Sequence, residues 1–299
     1  MIDRLVRGLF PDSGLRALVA RVGDTARMVR VLHGLAPTAA WLFAEALAAG
    51  AVVGALQKES RGRVNLQLEG DGPLRGLFVD ADAEGNVRGY VRAPGIHLPG
   101  DPAHAARGAL GSKGYLSVIR DLGQGQFYRS SVDLDGQDLP GVLRRWFEVS
   151  EQVETAFDLA VVPHGDEPLG DVVALLVQRL PDGDSAAVAR LRQALAGGAL
   201  ARALAAGPSA QELIQVVAGG GFELLADQEI AYRCGCSLAR ARTAVSALGV
   251  EGVVEVLAQE GRAEVSCEFC HAHYVLERAD LEALLARLRG PEPGEPAAS

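Results

Sequence analysis

Cys234-Gly235-Cys236, thirty further residues, then Cys267-Glu268-Phe269-Cys270: this stretch holds all four cysteines of a 299-residue chain. Two close thiol pairs far apart in sequence are what one tetrahedral zinc needs. Each pair supplies two thiolates from a tight turn, and the spacer closes the site. A catalytic zinc keeps a position for water, whereas four cysteines fill all four. The pattern therefore reads as a structural site, one Zn2+ per chain, with Cys234, Cys236, Cys267 and Cys270 as ligands. Cys267-x-x-Cys270 is the common knuckle and follows a strand-like run, Ala263 to Ser266. Cys234-x-Cys236 is a tighter chelate, eased by Gly235. Thiolates held this close are also placed to become disulfides once an oxidant attacks. Spacing alone leaves both a plain zinc ribbon and a redox switch open.

Around the quartet, Leu238 to Leu248, Val250 to Gln259 and Arg278 to Arg289 read as short helices. The last carries Leu281, Leu284, Leu285 and Leu288 on one face. About sixty residues bury too little apolar area to be comfortably stable alone. A structural zinc site contributes about 10–16 kcal/mol of apparent binding energy. The module, residues 231–290, should therefore fold with metal and loosen without it. Residues 291–299, rich in Pro, Glu and Ala, are expected to form a disordered tail.

Upstream, Pro181-Asp182-Gly183-Asp184 breaks the chain and opens a linker, residues 181–230. Ser185 to Ala206 is rich in Ala, Leu and Arg, interrupted by Gly197-Gly198 and closed by Gly207-Pro208. A second helix, Ala210 to Val217, runs into Gly219-Gly220-Gly221. Glycine costs a helix up to about 1 kcal/mol relative to alanine. Two readings fit: a helical connector packed on the core, or a metastable segment able to unfold without it.

Residues 1–180 read as an α+β core. Leu15 to Val22 is a strand, and Gly23-Asp24-Thr25 turns into a helix capped by Asp24 or Thr25, with Met28, Val29 and Leu32 on its apolar face. Pro37 starts a helix running to about Lys58. Val64 to Glu69 alternates strictly, and Leu74 to Asp80 and Val87 to Arg92 follow as strands between turns. Pro94 to Arg107 reads as a loop. Tyr115 to Arg120 and Phe127 to Asp133 form a hairpin around Gly123-Gln124-Gly125. Leu139 to Ala156 is an amphipathic helix, Phe157 to Val162 a last strand, and Leu169 to Leu180 a helix. Ala39 to Leu56 approaches membrane-spanning length, but it contains Glu45 and is mostly Ala and Gly, so a buried core helix is expected. The fold class is α+β: a sheet-and-helix core, a helical linker and a small C-terminal zinc-binding module.

Hydrophobic residues make up 48% of the chain and the net charge is −9, which argues against nucleic-acid binding. No stretch reads as a signal peptide, and a metal-like cysteine pattern suits a reducing cytoplasm. No membrane partner is expected. The six histidines form no obvious site. His271 and His273 adjoin Cys270 and are alternative ligands; His33, His97, His104 and His164 lie far apart. Gly70-x-Gly72-x-x-x-Gly76 has the wrong spacing for a dinucleotide loop. Gly108-x-x-Gly111-Ser112-Lys113-Gly114 lacks phosphate-loop order and reads as a hairpin turn. No hydrolase elbow or metalloprotease motif is present, so no enzyme is expected.

These residues also carry a family likeness. Cys-x-Cys-Ser (Cys234 to Ser237), Leu248-Gly249 and Cys-Glu-Phe-Cys with Tyr274 resemble the redox-regulated bacterial chaperone family, the thirty-three-kilodalton heat shock proteins. So do Gly72-Pro73-Leu74, Gly89-Tyr90-Val91, Gly114-Tyr115-Leu116-Ser117-Val118 and Ser150-Glu151-Gln152. The family follows its second cysteine with Ser-Arg-Glu; here Ser237 precedes Leu238-Ala239, which changes the charge beside the thiolates. The resemblance implies an ATP-independent holdase, zinc-bound and inactive when reduced. On oxidation Cys234–Cys236 and Cys267–Cys270 would pair, zinc would leave, and linker and zinc module would unfold. It implies unfolding client proteins as partners and a homodimer when oxidised. The alternatives are a zinc-ribbon module docking to nucleic acid or a transcription partner, and an enzyme with its pocket in the core and a structural zinc.

Overall fold

The computed structural model describes residues 2–57, 62–121, 126–219 and 221–289. The chain divides into two units, Met1–Arg233 and Cys234–Ser299. In the first, β1 (Arg4–Phe10) and β2 (Leu15–Arg21) lead to helices α1 (Gly23–Leu32) and α2 (Pro37–Gly54). Then come β3 (Arg63–Gly70), β4 (Gly76–Asp82), β5 (Asn86–Val91), α3 (Pro102–Leu110), β6 (Gly114–Asp121) and β7 (Phe127–Asp133). After α4 (Leu139–Trp146) the long hairpin β8 (Thr155–His164) and β9 (Glu167–Arg179) returns to the first strands. Helices α5 (Ser185–Ala196), α6 (Ala199–Leu204) and α7 (Ala210–Ala218) precede β10 (Glu223–Glu229) and β11 (Ala231–Tyr232).

Two sheets result: a five-stranded one in the order β10-β1-β2-β9-β8, and a six-stranded one in the order β11-β5-β4-β3-β6-β7. The apolar helix α2 touches strands of both, and its alanines are buried with Leu66, Leu68, Val79 and Leu176 in one core. It is long and apolar enough to cross a membrane, but 89% of that window is packed inside the protein. Glycine explains one close approach: a Cβ at Gly89 would sit 2.2 Å from the Phe78 carbonyl and 2.9 Å from the Phe43 ring. The backbone of Gly89 also bonds the Tyr232 hydroxyl through both its N–H and its carbonyl.

Strands β2 and β9 at the centre of the five-stranded sheet are covered on both faces. Leu18, Ala20, Val172, Ala174 and Leu176 face the α2 core. Their alternates Ala17, Val19, Val173, Leu175 and Val177 face α5–α7, through Val188, Leu191, Leu204, Leu213 and Ile214. This corrects the expected helix at Leu169 to Leu180. A strand buried on both sides carries no polar alternation, so its unbroken apolar run mimics a helix.

Other differences have local causes. Pro94 to Arg107 is not all loop, because the Asp101 carboxylate accepts from His104 N and, with Pro102 at the first turn, starts α3. The helix from Leu139 ends early. After a π turn over Phe147–Glu151, Gln152 adopts φ 54° and stops it, and Thr155 and Ala156 already belong to β8. Helix α1 is capped neither by Asp24 nor by Thr25; their N–H groups donate to the Asp3 carboxylate at 3.0 and 2.6 Å. Ser112 and Lys113 form a helix-to-strand link rather than a hairpin turn, both N–H groups donating to Asp71. Strand β1 went unread. The turn Gly123-Gln124-Gly125, Lys58, and residues 290–299 lie outside the described residues.

Helix α7 opens with a full capping box: Glu212 N donates to Ser209 Oγ (3.2 Å) and Ser209 N to Glu212 Oε2 (2.8 Å). Ser209→Ala should cost about 1 kcal/mol of local stability. Amide exchange over Ala210–Ala218 checks this, and unchanged protection there would refute it.

Candidate metal centre

The second unit contains α8 (Leu238–Ser246), α9 (Gly249–Gln259), the hairpin β12 (Ala263–Ser266) and β13 (His273–Leu276), and α10 (Arg278–Arg289). Val245, Val253, Leu276, Leu281, Leu284 and Leu285 are buried together. Leu288, expected on the same face, is 37% exposed. Arg242 ties α8 to α10 through Asp280 at 2.7 Å.

The hairpin turn is the cysteine knuckle. His271 N donates to Cys267 O (2.8 Å) and Cys267 N to Ala272 O (2.9 Å). His271, at φ 57°, reverses the chain into β13; histidine is among the residues that adopt this left-handed conformation more readily. The other pair lies just before α8, whose N-cap is Ser237, accepting from Arg240 N at 3.3 Å. That accounts for the serine in Cys-x-Cys-Ser. Where the family pattern carries charge, Leu238 and Ala239 begin α8, and the Arg240 guanidinium lies close to Gly235.

The sulfurs of Cys234, Cys236, Cys267 and Cys270 all lie within 4.8 Å of one another. Cys234 and Cys267 are 3.6 Å apart, Cys236 and Cys270 3.3 Å. A regular tetrahedron built on Zn–S bonds of about 2.3 Å has edges of about 3.8 Å. The donor set therefore fits a tetrahedral ion with small adjustments. Among the described residues no histidine joins this cluster. His273, expected as an alternative ligand, instead meets Ser266 Oγ (3.1 Å) and Glu264 (3.5 Å).

Burial pushes the Cys270 thiol up to about 12 and raises that of Cys234. Cys236 is lowered to about 7, chiefly because the Tyr274 hydroxyl donates to its sulfur at 3.1 Å. Tyr274 is itself raised to about 12 by that bond. Four thiolates here need a cation to hold them. The hydroxyl on Cys236 was not assigned from sequence, although Tyr274 stands four residues beyond Cys270, within reach of a knuckle that feeds straight into a strand.

His33 Nε2 lies 3.2 Å from the Tyr232 hydroxyl, and His164 Nε2 lies 3.0 Å from Asp171.

The Hsp33 protein family model matches residues 3–277. The 33 kDa chaperonin of Citrifermentans bemidjiense is 32% identical over 295 residues, covering 98% of this chain and 100% of that protein. That of Geobacter sulfurreducens is 35% identical over 289 residues, 94% of each chain. The crystal structure of the 33 kDa chaperonin (heat shock protein 33 homolog) from Thermotoga maritima superposes with a TM-score of 0.82. It is 27% identical and covers 95% of this chain and 98% of that one. The class so defined is a chaperone and not an enzyme. The chain belongs to the Hsp33 family.

Proposed function

We propose that this chain is a redox-regulated, ATP-independent holdase, zinc-bound and inactive when reduced. The observation that carries the reading is the four-sulfur cluster inside a unit with a small apolar core. A tetrahedral all-thiolate set favours zinc among the common divalent ions. Bound zinc would supply the charge that keeps the thiols of Cys234, Cys236, Cys267 and Cys270 deprotonated, and a cross-link on which the unit depends. Hydrogen peroxide takes two electrons from each thiol pair: two thiols and one peroxide give one disulfide and two waters. The family resemblance favours Cys234–Cys236 and Cys267–Cys270 as the pairs. Each disulfide removes two of the four ligands, so tight metal binding ends.

In this reading residues 1–180 bind clients, 181–230 are a metastable linker, 231–290 are the switch and 291–299 a tail. Oxidation unfolds switch and linker together. The sheet face beneath α5–α7, with Phe10, Val19 and Leu175, is then apolar surface anchored in a folded core, as holding an aggregation-prone protein requires. Homodimerisation of the oxidised form, a cytoplasmic location, and absence of nucleic-acid and membrane partners belong to the same proposal.

Hydrogen exchange before and after peroxide, with metal content and suppression of client aggregation on the same samples, tests it. Exchange should rise across 185–289 while β3, β4 and β5 stay protected. If those strands deprotect first, or the reduced metal-bound chain holds clients equally well, the reading is wrong.

A further inference from the structure

Arg21 closes β2 and is 7% exposed; Asp171, beside it on β9, is 5% exposed. The guanidinium binds the Asp171 carboxylate with one amino group and donates to the Pro208 carbonyl with the other. Pro208 lies in the turn between α6 and α7. The second carboxylate oxygen of Asp171 meets His164 Nε2 at 3.0 Å. The backbone is shaped for this contact. The register of β8 against β9 shifts between Val162 and His164, a bulge that re-aims the imidazole. A Cβ on Gly170 would lie 2.5 Å from His164 Cγ, so the ring can settle there only over glycine.

The segment gripped in this way has little hold of its own. Helix α6 has six residues and α7 nine, too short to persist alone in water. Their docking on the sheet depends on Leu200, Leu204, Leu213 and Ile214. Helix α5 has separate polar anchors: Arg192 Nε to Thr155 O at 2.7 Å, and Ser185 Oγ to Glu154 at 2.5 Å. At the α6–α7 junction Arg21 supplies a charged, directional bond. A buried guanidinium that loses such a partner must find another or remain partly unsatisfied, so the contact favours the docked state over partly slipped ones.

We infer that Arg21, oriented by Asp171, is a latch that fixes the α6–α7 junction to the sheet and sets how readily residues 199–218 are released. Its bearing on client holding rests on the holdase reading above; the latch itself does not.

The test uses the full-length, reduced, metal-loaded chain in two variants. Arg21→Met/Asp171→Leu removes both charges and leaves no unpaired ion in the sheet. Arg21→Lys keeps a cation beside Asp171 but loses the fork that reaches two partners. Hydrogen exchange over 199–218 should quicken roughly tenfold or more in both, with β3, β4 and β5 as internal reference. Unchanged exchange over 199–218 overturns the latch. Should the double variant lose protection in the reference strands, Arg21→Lys alone decides, by the same criterion. Client holding is read on the same samples. Faster exchange with new holding by the reduced chain supports latch and gating together. Faster exchange without it keeps the latch and overturns its link to holding.

Discussion

Serine at both Cys267 and Cys270 should abolish tight metal binding and leave residues 234–289 without a cooperative fold, while the core, residues 1–180, keeps its own unfolding transition. Two hydroxyls cannot replace thiolates in a soft tetrahedral site, and two remaining sulfurs hold a metal weakly. The loss is about 10 kcal/mol or more of metal-linked folding energy. At roughly 0.05–0.15 kcal/mol per residue, a unit this small has roughly 3–8 kcal/mol to lose. Elemental analysis and amide exchange on the variant give the answer. Stoichiometric metal in the double variant would place the ligands elsewhere.

Replacing Glu45 by glutamine should change how stability depends on pH. Glu45 sits in α2, 8% exposed, and Trp41 Nε1 donates to its carboxylate at 3.2 Å. Burial, with lesser contributions from Asp138 and Asp158, raises its pKa from the ordinary 4.5 to about 8. Below the lower value the carboxyl is protonated in folded and unfolded chains alike, and there is no penalty. Between the two values the unfolded chain releases a proton that the folded one keeps, so stability falls as pH rises. At about 1.4 kcal/mol per unit, the deficit grows from roughly 1 kcal/mol at pH 5 to roughly 4 kcal/mol at pH 8. Glu45→Gln keeps a neutral group and should lack this decline. Asp158, raised to about 6 mainly by burial, titrates in both proteins. Denaturant unfolding at pH 5 and pH 8 measures the difference; parallel pH profiles would show that Glu45 ionises normally.

The parts legible in the sequence were those with one wet face or one chemical demand. Strands β3, β4 and β5 alternate because one side meets the α2 core and the other does not. The quartet was legible because thiols at that spacing have few other uses, and the sulfurs do converge. Strand β9 was not, because it is covered by α2 on one side and α5–α7 on the other, which erases the period of two. The cap on α1 was invisible for another reason: Asp3 reaches it from 21 residues away, and local patterns carry no such information. The Arg21–Asp171–Pro208 contact spans still longer separations, 150 and 187 residues.

Strand β10 lies beside β1, pairing Arg4 with Glu229 and Leu9 with Glu223. During translation, the outer edge of the first strand must wait for a segment more than two hundred residues later in the chain. At about 5–20 residues per second, that interval is on the order of 10–40 s. Throughout it β1 presents unpaired N–H and carbonyl groups, an open template for any neighbouring extended peptide. A nascent chain of this protein is thus itself in need of protection until its final quarter emerges from the ribosome.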